Sequence, residues 1–511
     1  MGFWKQLLNN NRHTPASPAN ANDLPAQAVS SCLPDNTTYI RKAFFDTDDL
    51  KIREVMLGPR KGLLLYLESL CDDKTISEKI IKPLVETEKP ITEEVLITIS
   101  QYRYDELTRV VDSIAKGYVA LFGEGTAECC LINAKANNER AVNEPENEKV
   151  VRGPHKGFIE NLDVNLQMVR KLIASRHLVI RYYELGSETK SRTAMVYLQN
   201  LANPSLVQEA DRRIRSISVD SVAYLGMIEE NLEGRSYSPF PQLLTTERPG
   251  RVVNNLLEGR VALFLEGHPA ANLFPATFIA FYQSPDDYGS RSLTGTFIRL
   301  IRLFSFFIAI VLPAFYIAVI SFHFEVIPTD LFLTLKSGVE RIPFSPILEA
   351  LIMELTIELL SEASIRLPGR VGQTIGIVGG LVIGDAVVKA GLVSNAMIVV
   401  VALTALASFV VPSYEMSSAL RVLRFPVMIS AALFGFLGIV VSVTAIVIHL
   451  CKLESFGTPY FAPLAPFRLK DFKDALVRLP AWKLNERPLD AHPQKLRQEY
   501  PSREWERDDD K

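Results

Sequence analysis

Beyond Arg291 the chain loses its charges in long runs: Leu303 to Phe322 and Ala390 to Tyr414 carry none, and Phe425 to Leu450 has only His449. Each run is long enough to cross a bilayer core of about 30 Å. Before Arg291 charges are abundant and the apolar positions recur with shorter periods. The pattern predicts a soluble N-terminal half of α/β type in two subdomains, followed by an α-helical polytopic membrane domain.

Within the soluble half, residues 1–38 are rich in Asn, Ala, Pro and Ser, a composition that predicts a disordered tail. From Leu50 to about Val111, apolar residues at Leu57, Leu63 to Leu65, Leu67, Val95, Leu96, Leu107, Val110 and Val111 read as a small helical layer. Tyr118 to Phe122 and Ala127 to Ile132, parted by Gly123-Glu-Gly125, read as a hairpin. A charged linker from Asn137 to Lys149 then separates two subdomains, 39–145 and 146–290. In the second, Leu178 to Leu185 and Thr193 to Leu198 predict paired strands, and helices follow at Ser205 to Ile217 and Ser221 to Leu232. A further hairpin is expected from Arg260 to Leu265 and Ala270 to Phe274. The membrane domain is bounded at 291–455 and a C-terminal hydrophilic tail at 456–511.

Two apolar segments carry chemistry. In Gly372-Gln-Thr-Ile-Gly-Ile-Val-Gly-Gly-Leu-Val-Ile-Gly-Asp-Ala-Val-Val-Lys389, Gly376, Gly380 and Gly384 fall on one helical face and Val378, Val382, Asp385 and Lys389 on the other. Glycine at every fourth position suits close helix packing, and Asp385 and Lys389 stand where they can neutralise one another. If several copies turned the second face to a common axis, the valines would form a dewetting constriction and Asp385 a carboxylate ring that favours cations. Upstream, Glu354, Glu358 and Glu362 recur at every fourth position in an otherwise apolar helix. Three readings fit this acidic stripe: a solvated face of an interfacial helix, an acidic vestibule or ion path, and hydrogen bonding between helices.

Composition narrows the function classes. A net charge of −3 and a pI near 6.2 give no reason to expect nucleic-acid binding. The five cysteines include no CxxC pair and the seven histidines no HxxxH or HExxH, so neither a disulfide framework nor a metal or cofactor site is expected. Gly123-Glu-Gly125 lacks the third glycine of a dinucleotide loop, with Glu128 in its place, and Gly153 to Gly157 lacks the spacing of a phosphate loop. An enzyme is not expected. The N-terminus shows no charged start followed by an apolar run, so no cleavable signal peptide is expected and the soluble half is expected to be cytosolic.

Several short motifs lie outside these periodicities: Val150-Val-Arg-Gly-Pro154, Tyr237-Ser-Pro-Phe-Pro-Gln242, Thr246-Glu-Arg-Pro249, Gln283-Ser-Pro-Asp-Asp-Tyr288, Met353-Glu-Leu-Thr-Ile-Glu-Leu-Leu360, Arg366-Leu-Pro368, Gly372-Gln-Thr-Ile-Gly376 and Ser455-Phe-Gly-Thr-Pro-Tyr460. Together they make the chain resemble the A subunit of GerA-family spore germinant receptors from about Lys42 to about Pro480. The resemblance implies a multi-pass protein of the spore inner membrane that works with a transporter-like, nutrient-binding B subunit and a lipoprotein C subunit. It further implies a homo-oligomeric ring forming a nutrient-gated cation channel that starts germination, with Val382 at the constriction. The long N-terminal extension and the acidic end, Arg503 to Lys511, have no counterpart in those motifs.

Alternatives stay open at this point. A sporulation-stage paralogue acting as an accessory, amplifying channel shares the architecture, and a secondary transporter or a scaffold subunit would use the same helices differently. The spans form no evident inverted repeat, which weighs against a transporter. Arg299 and Arg302, Arg366 and Arg370, and Arg421 and Arg424 precede apolar runs and read as cytosolic under the positive-inside rule. Four full spans with an irregular Glu-bearing helix between them fit best.

Overall fold

The computed structural model describes residues 25–86, 102–136, 144–145, 147–150, 152–328, 330, 338–339, 342–366, 386–387 and 389–498. The chain divides into two compact units, one of residues up to 138 with 170–181, the other of 139–169 with 182 onward. The boundary therefore falls inside a helix and a strand instead of in the charged linker alone.

The first unit opens with α1 (Leu33–Ala43), which begins inside the stretch expected to be a disordered tail. Pro34 stands in its first turn, and Asn36 bonds back to Ser30 through both its oxygen and its amide. Next come β1 (Leu50–Leu57) and β2 (Arg60–Leu67), an antiparallel hairpin where a helical layer was expected. The reason lies in burial on both sheet faces. Leu65 and Leu67 pack under α1 and α2 (Leu107–Ala115), while Leu64 and Tyr66 pack on the other face against Ile76, Ile80 and Leu84. A strand covered on both sides has no polar alternation to report it. The sheet is completed by β3 (Tyr102–Tyr104), β4 (Tyr118–Gly123) and β5 (Cys129–Asn133), in the order β1-β2-β4-β5-β3. The β4–β5 hairpin agrees with the sequence reading.

The second sheet repeats this plan. Helix α3 (Leu162–Leu172) leads into β6 (Leu178–Leu185) and β7 (Ser191–Leu198). Then α4 (Pro204–Arg215) and α5 (Leu225–Leu232) intervene before β8 (Leu244–Thr246), α6 (Pro249–Leu257), β9 (Val261–Leu265) and β10 (Ala271–Phe274). Its strand order, β6-β7-β9-β10-β8, is that of the first sheet with every number raised by five, and a helix precedes the fourth strand in both. The N-terminal half is thus built on one topology used twice. The pairings described are antiparallel, which makes it α+β, the second of the two readings, α/β or α+β, that its sequence allows.

The C-terminal half is helical: α7 (Ser292–Ser321), α8 (Pro346–Arg366), α9 (Asn395–Phe409), α10 (Tyr414–Phe434) and α11 (Phe436–Lys452). Among the described residues, α7 and α10 are long and apolar enough to cross a membrane, and α9 and α11 are apolar but shorter. The expected span from Ala390 to Tyr414 contracts because Gly391 turns at φ +65°, Ser394 caps α9 and Ser413 caps α10. The expected span from Phe425 to Leu450 is broken in two at Gly435, whose φ of +60° with ψ of −138° no L-residue adopts comfortably.

Residues 456–498 pack as part of the second unit instead of forming a free hydrophilic tail. The hairpin of β11 (Glu454–Ser455) and β12 (Thr458–Pro459) turns through Phe456 at φ +48° and Gly457 at φ +78°, and Phe456 stacks on Phe274 at 4.3 Å. Farther on, Asp490 binds the buried Arg260 guanidinium at 2.6 Å. Replacing Asp490 by Ala leaves Arg260, among the described residues, with Glu258 as its remaining ion-pair partner. The variant should therefore lose about 3 kcal/mol, read as a lower melting temperature of the full chain.

Candidate functional site

One motif noticed in the sequence, Gln283 to Tyr288, holds the start of α7 within the second unit. Ser284 and Asp287 form a capping box on the short helix Pro285–Gly289. Asp287 is buried and accepts from Arg299 at 3.2 Å and from Arg302 at 2.7 Å. Asp474 binds Arg299 on the other side and accepts from the Tyr288 hydroxyl at 2.7 Å. These two arginines, read in the sequence as a cytosolic flank, are both engaged in internal ion pairs. In the same unit Arg248, of the Thr246 to Pro249 motif, donates to the carbonyl of Pro154, the last residue of the Val150 to Pro154 motif, at 2.8 Å.

Among the helices, the acidic stripe of α8 meets two arginines of α10. Glu354, 2 % exposed, bonds Arg424, 3 % exposed, and Arg424 also donates to Ser408 of α9 at 2.9 Å. One turn along α8, Glu358 accepts from Arg421 at 2.8 Å. Because numbering rises on α8 as it falls on α10, the pairs are rungs of an antiparallel ladder spaced by one helical turn. Glu362, one turn farther along, bonds Arg366 of its own helix at 2.6 Å in an exposed position. Farther up α8, Glu349 is fully buried and accepts from the Ser394 backbone amide, while the Ser394 hydroxyl meets Tyr316 of α7 at 2.9 Å.

Carboxylates in apolar surroundings are retained when a cation and hydrogen bonds compensate for lost water. The ladder provides that compensation and ties α8, α9 and α10 to one relative register. Among the described residues no group of three His, Cys, Asp or Glu could hold a metal. The sequence exposed the acids but not their partners. Arg421 and Arg424 had the needed signal, a three-residue spacing that puts both on one helix face. Lys389 is exposed, while Gly376, Val378, Gly380, Val382, Gly384 and Asp385 lie outside the described residues.

The family described as Bacillus/Clostridium GerA spore germination protein matches residues 38–489. The chain belongs to the GerA family. Among curated relatives, spore germination protein KA of Bacillus subtilis (strain 168) is 37 % identical, the alignment covering 90 % of this chain and 87 % of that one. Spore germination protein A1 of the same strain is 38 % identical, over 87 % of this chain and 93 % of its own. An uncharacterized membrane protein of that strain, YfkQ, is 38 % identical over 90 % and 91 %. A crystal structure of the N-terminal domain of the A subunit of the Bacillus megaterium spore germinant receptor GerK3 aligns at 24 % identity. It covers 50 % of this chain and 99 % of that one, with a TM-score of 0.40. This GerA-family chain is thus related to spore germination proteins over nearly its full length, and its apolar helices fit association with a membrane.

Proposed function

We propose that this chain is the A subunit of a nutrient germinant receptor in spores, and that several copies form a nutrient-gated cation channel in the spore inner membrane. It works there with a transporter-like, nutrient-binding B subunit and a lipoprotein C subunit, and it performs no catalysis. The observation that carries this reading is the segment from Gly372 to Lys389 in a chain of the GerA family: one glycine face for packing, and one face of Val378, Val382, Asp385 and Lys389. Turned to a shared axis, the valines close the path by dewetting and Asp385 selects for cations. The buried ladder supports the reading from a different side, because a gate needs neighbouring helices that hold a defined register until they are driven to another.

The test is potassium release from spores carrying Val382→Ala, measured without nutrient, with accumulation of the variant checked by blot. Release several-fold above that of the parent strain, abolished when the genes for the B and C subunits are deleted, is the expected result. Release that persists after those deletions would make the chain an autonomous accessory channel. Tight dormancy with a normal nutrient response would remove Val382 from the gate.

A further inference from the structure

A second polar cluster, distinct from the ladder, brings the second sheet and α5 against the first turn of α10. The Thr245 hydroxyl on β8 lies 3.2 Å from Glu229 Oε1, 3.1 Å from Glu415 Oε1 and 3.0 Å from Asn272 Oδ1. A hydroxyl has one proton to give and two lone pairs to receive with. As placed, Asn272 offers an oxygen, and its Nδ2, fully buried, has no hydrogen-bond partner. With that oxygen taking the hydroxyl proton, both glutamates must donate to Thr245. With the amide turned, Nδ2 donates to Thr245, which donates to one glutamate, and the other must still supply a proton of its own. Both orientations require at least one protonated carboxyl.

Among the described residues no cation is bonded to this cluster. Glu230 shares α5 with Glu229, Glu233 directly follows that helix, and Glu229 and Glu233 both face Glu415. Arg213 of α4 reaches the end of α5 but binds Glu209 and the Leu232 carbonyl. On α10, Arg421 is held by Glu358 and Ser418. His449 of α11 is held by Ser238 and stacks on Phe240. Two further polar atoms in the same unit, the Tyr460 hydroxyl and Gln242 Oε1, are buried without hydrogen-bond partners, and Gln242 donates its backbone amide to Glu233.

We propose that Glu229 and Glu415 share a proton through Thr245, forming a proton-dependent latch between the second sheet and the start of α10. Loss of that proton would leave two carboxylates against one hydroxyl in a dry site. They would repel, and the first turn of α10 would be released from β8 and α5. Burial independently holds the Glu229 carboxyl above its usual range and pushes Glu233 from 4.5 up to about 7. A carboxyl raised in this way binds its proton in the folded chain at a pH where the unfolded chain has lost it. The contribution of Glu233 to stability is therefore fully present at low pH and is lost as pH rises from about 4.5 toward 7, and that of Glu229 changes in the same sense.

The test is infrared spectroscopy of the full-length protein in lipid nanodiscs, following the carbonyl stretch of protonated carboxyls as pH is raised. The wild type should lose a band between neutral and alkaline pH. The difference spectra against Glu229→Gln and against Glu415→Gln at neutral pH should each show the loss of about one protonated carboxyl per chain, because the new amide donates to the acid that remains. A wild type with no such band at neutral pH, or difference spectra without carboxyl loss, would overturn the latch. Thr245→Val keeps the shape and removes the hydroxyl, so it guards against a folding failure of either Gln variant. It should shift the titration of the band, and an unchanged titration would also overturn the proposal.

Discussion

Replacing Arg424 by Ala should remove most of the protein from the membrane fraction, whereas Glu362→Ala should leave its level unchanged. Both substitutions break an ion pair, and the difference lies in where the surviving charge is left. Without Arg424, Glu354 stays 2 % exposed, next to no other cation that it bonds, and Ser408 loses its donor. Breaking a buried pair from one side costs about 3–5 kcal/mol, a large share of the roughly 5–15 kcal/mol that holds a typical fold together. Glu362 and its partner Arg366 are 55 % and 77 % exposed, so their loss costs no more than about 0.5 kcal/mol. Immunoblots of membrane fractions at matched expression report both outcomes. The double variant Glu354→Leu with Arg424→Met discriminates further, since replacing the pair by apolar side chains removes the orphaned charge and should restore accumulation. Equal loss in the single and double variants would mean that the ladder is required for something other than charge compensation.

The second large effect is expected at Gly438, in the first turn of α11. A Cβ there would overlap the backbone carbonyl of Ser430 on α10, and Ser430 in turn donates its hydroxyl to the Gly438 carbonyl at 3.0 Å. Backbone cannot step aside as a flexible side chain does. Gly438→Ala should therefore part α10 from α11 at a cost of about 3 kcal/mol, seen as a fall in melting temperature in nanodiscs. Gly226 on α5 is the matching control, because nothing lies within 4 Å of a Cβ built there. Its replacement by Ala should be neutral or stabilising by about 0.5 kcal/mol. A melting temperature for Gly438→Ala equal to the wild type would show that the two helices do not meet at this point.

What the sequence made legible follows the range of the forces involved. The β4–β5 and β9–β10 hairpins and α2, α4 and α5 were readable because turn residues and apolar spacing act over a few positions. The β1–β2 hairpin was not, since Leu63 to Leu67 is covered from both sides and its apolar run has no period. Strand order depends on partners far apart in the chain, and so does the doubled topology, which leaves no matching residue pattern to find. The break at Gly435 hid inside an apolar run because hydropathy records solvent preference and not dihedral angles. For the site, the glutamates of α8 stood out as charges in an apolar setting. Their partners Arg424 and Arg421 lie some 60–70 positions away and suggested membrane orientation instead. The Thr245 cluster left no trace in the sequence, because Glu229, Thr245, Asn272 and Glu415 share no spacing at all.

The ladder also sets what kind of movement α8 can make. Glutamates repeat on it every four residues through Glu362, but α10 offers two rungs, Arg424 and Arg421. Sliding α8 by a fraction of a turn would strand buried charges between rungs. Sliding it by four residues, about 6 Å, would hand Arg424 to Glu358 and Arg421 to Glu362, restoring both contacts. The interface behaves as a rack with discrete teeth: it resists gradual drift and permits displacement in steps of one tooth.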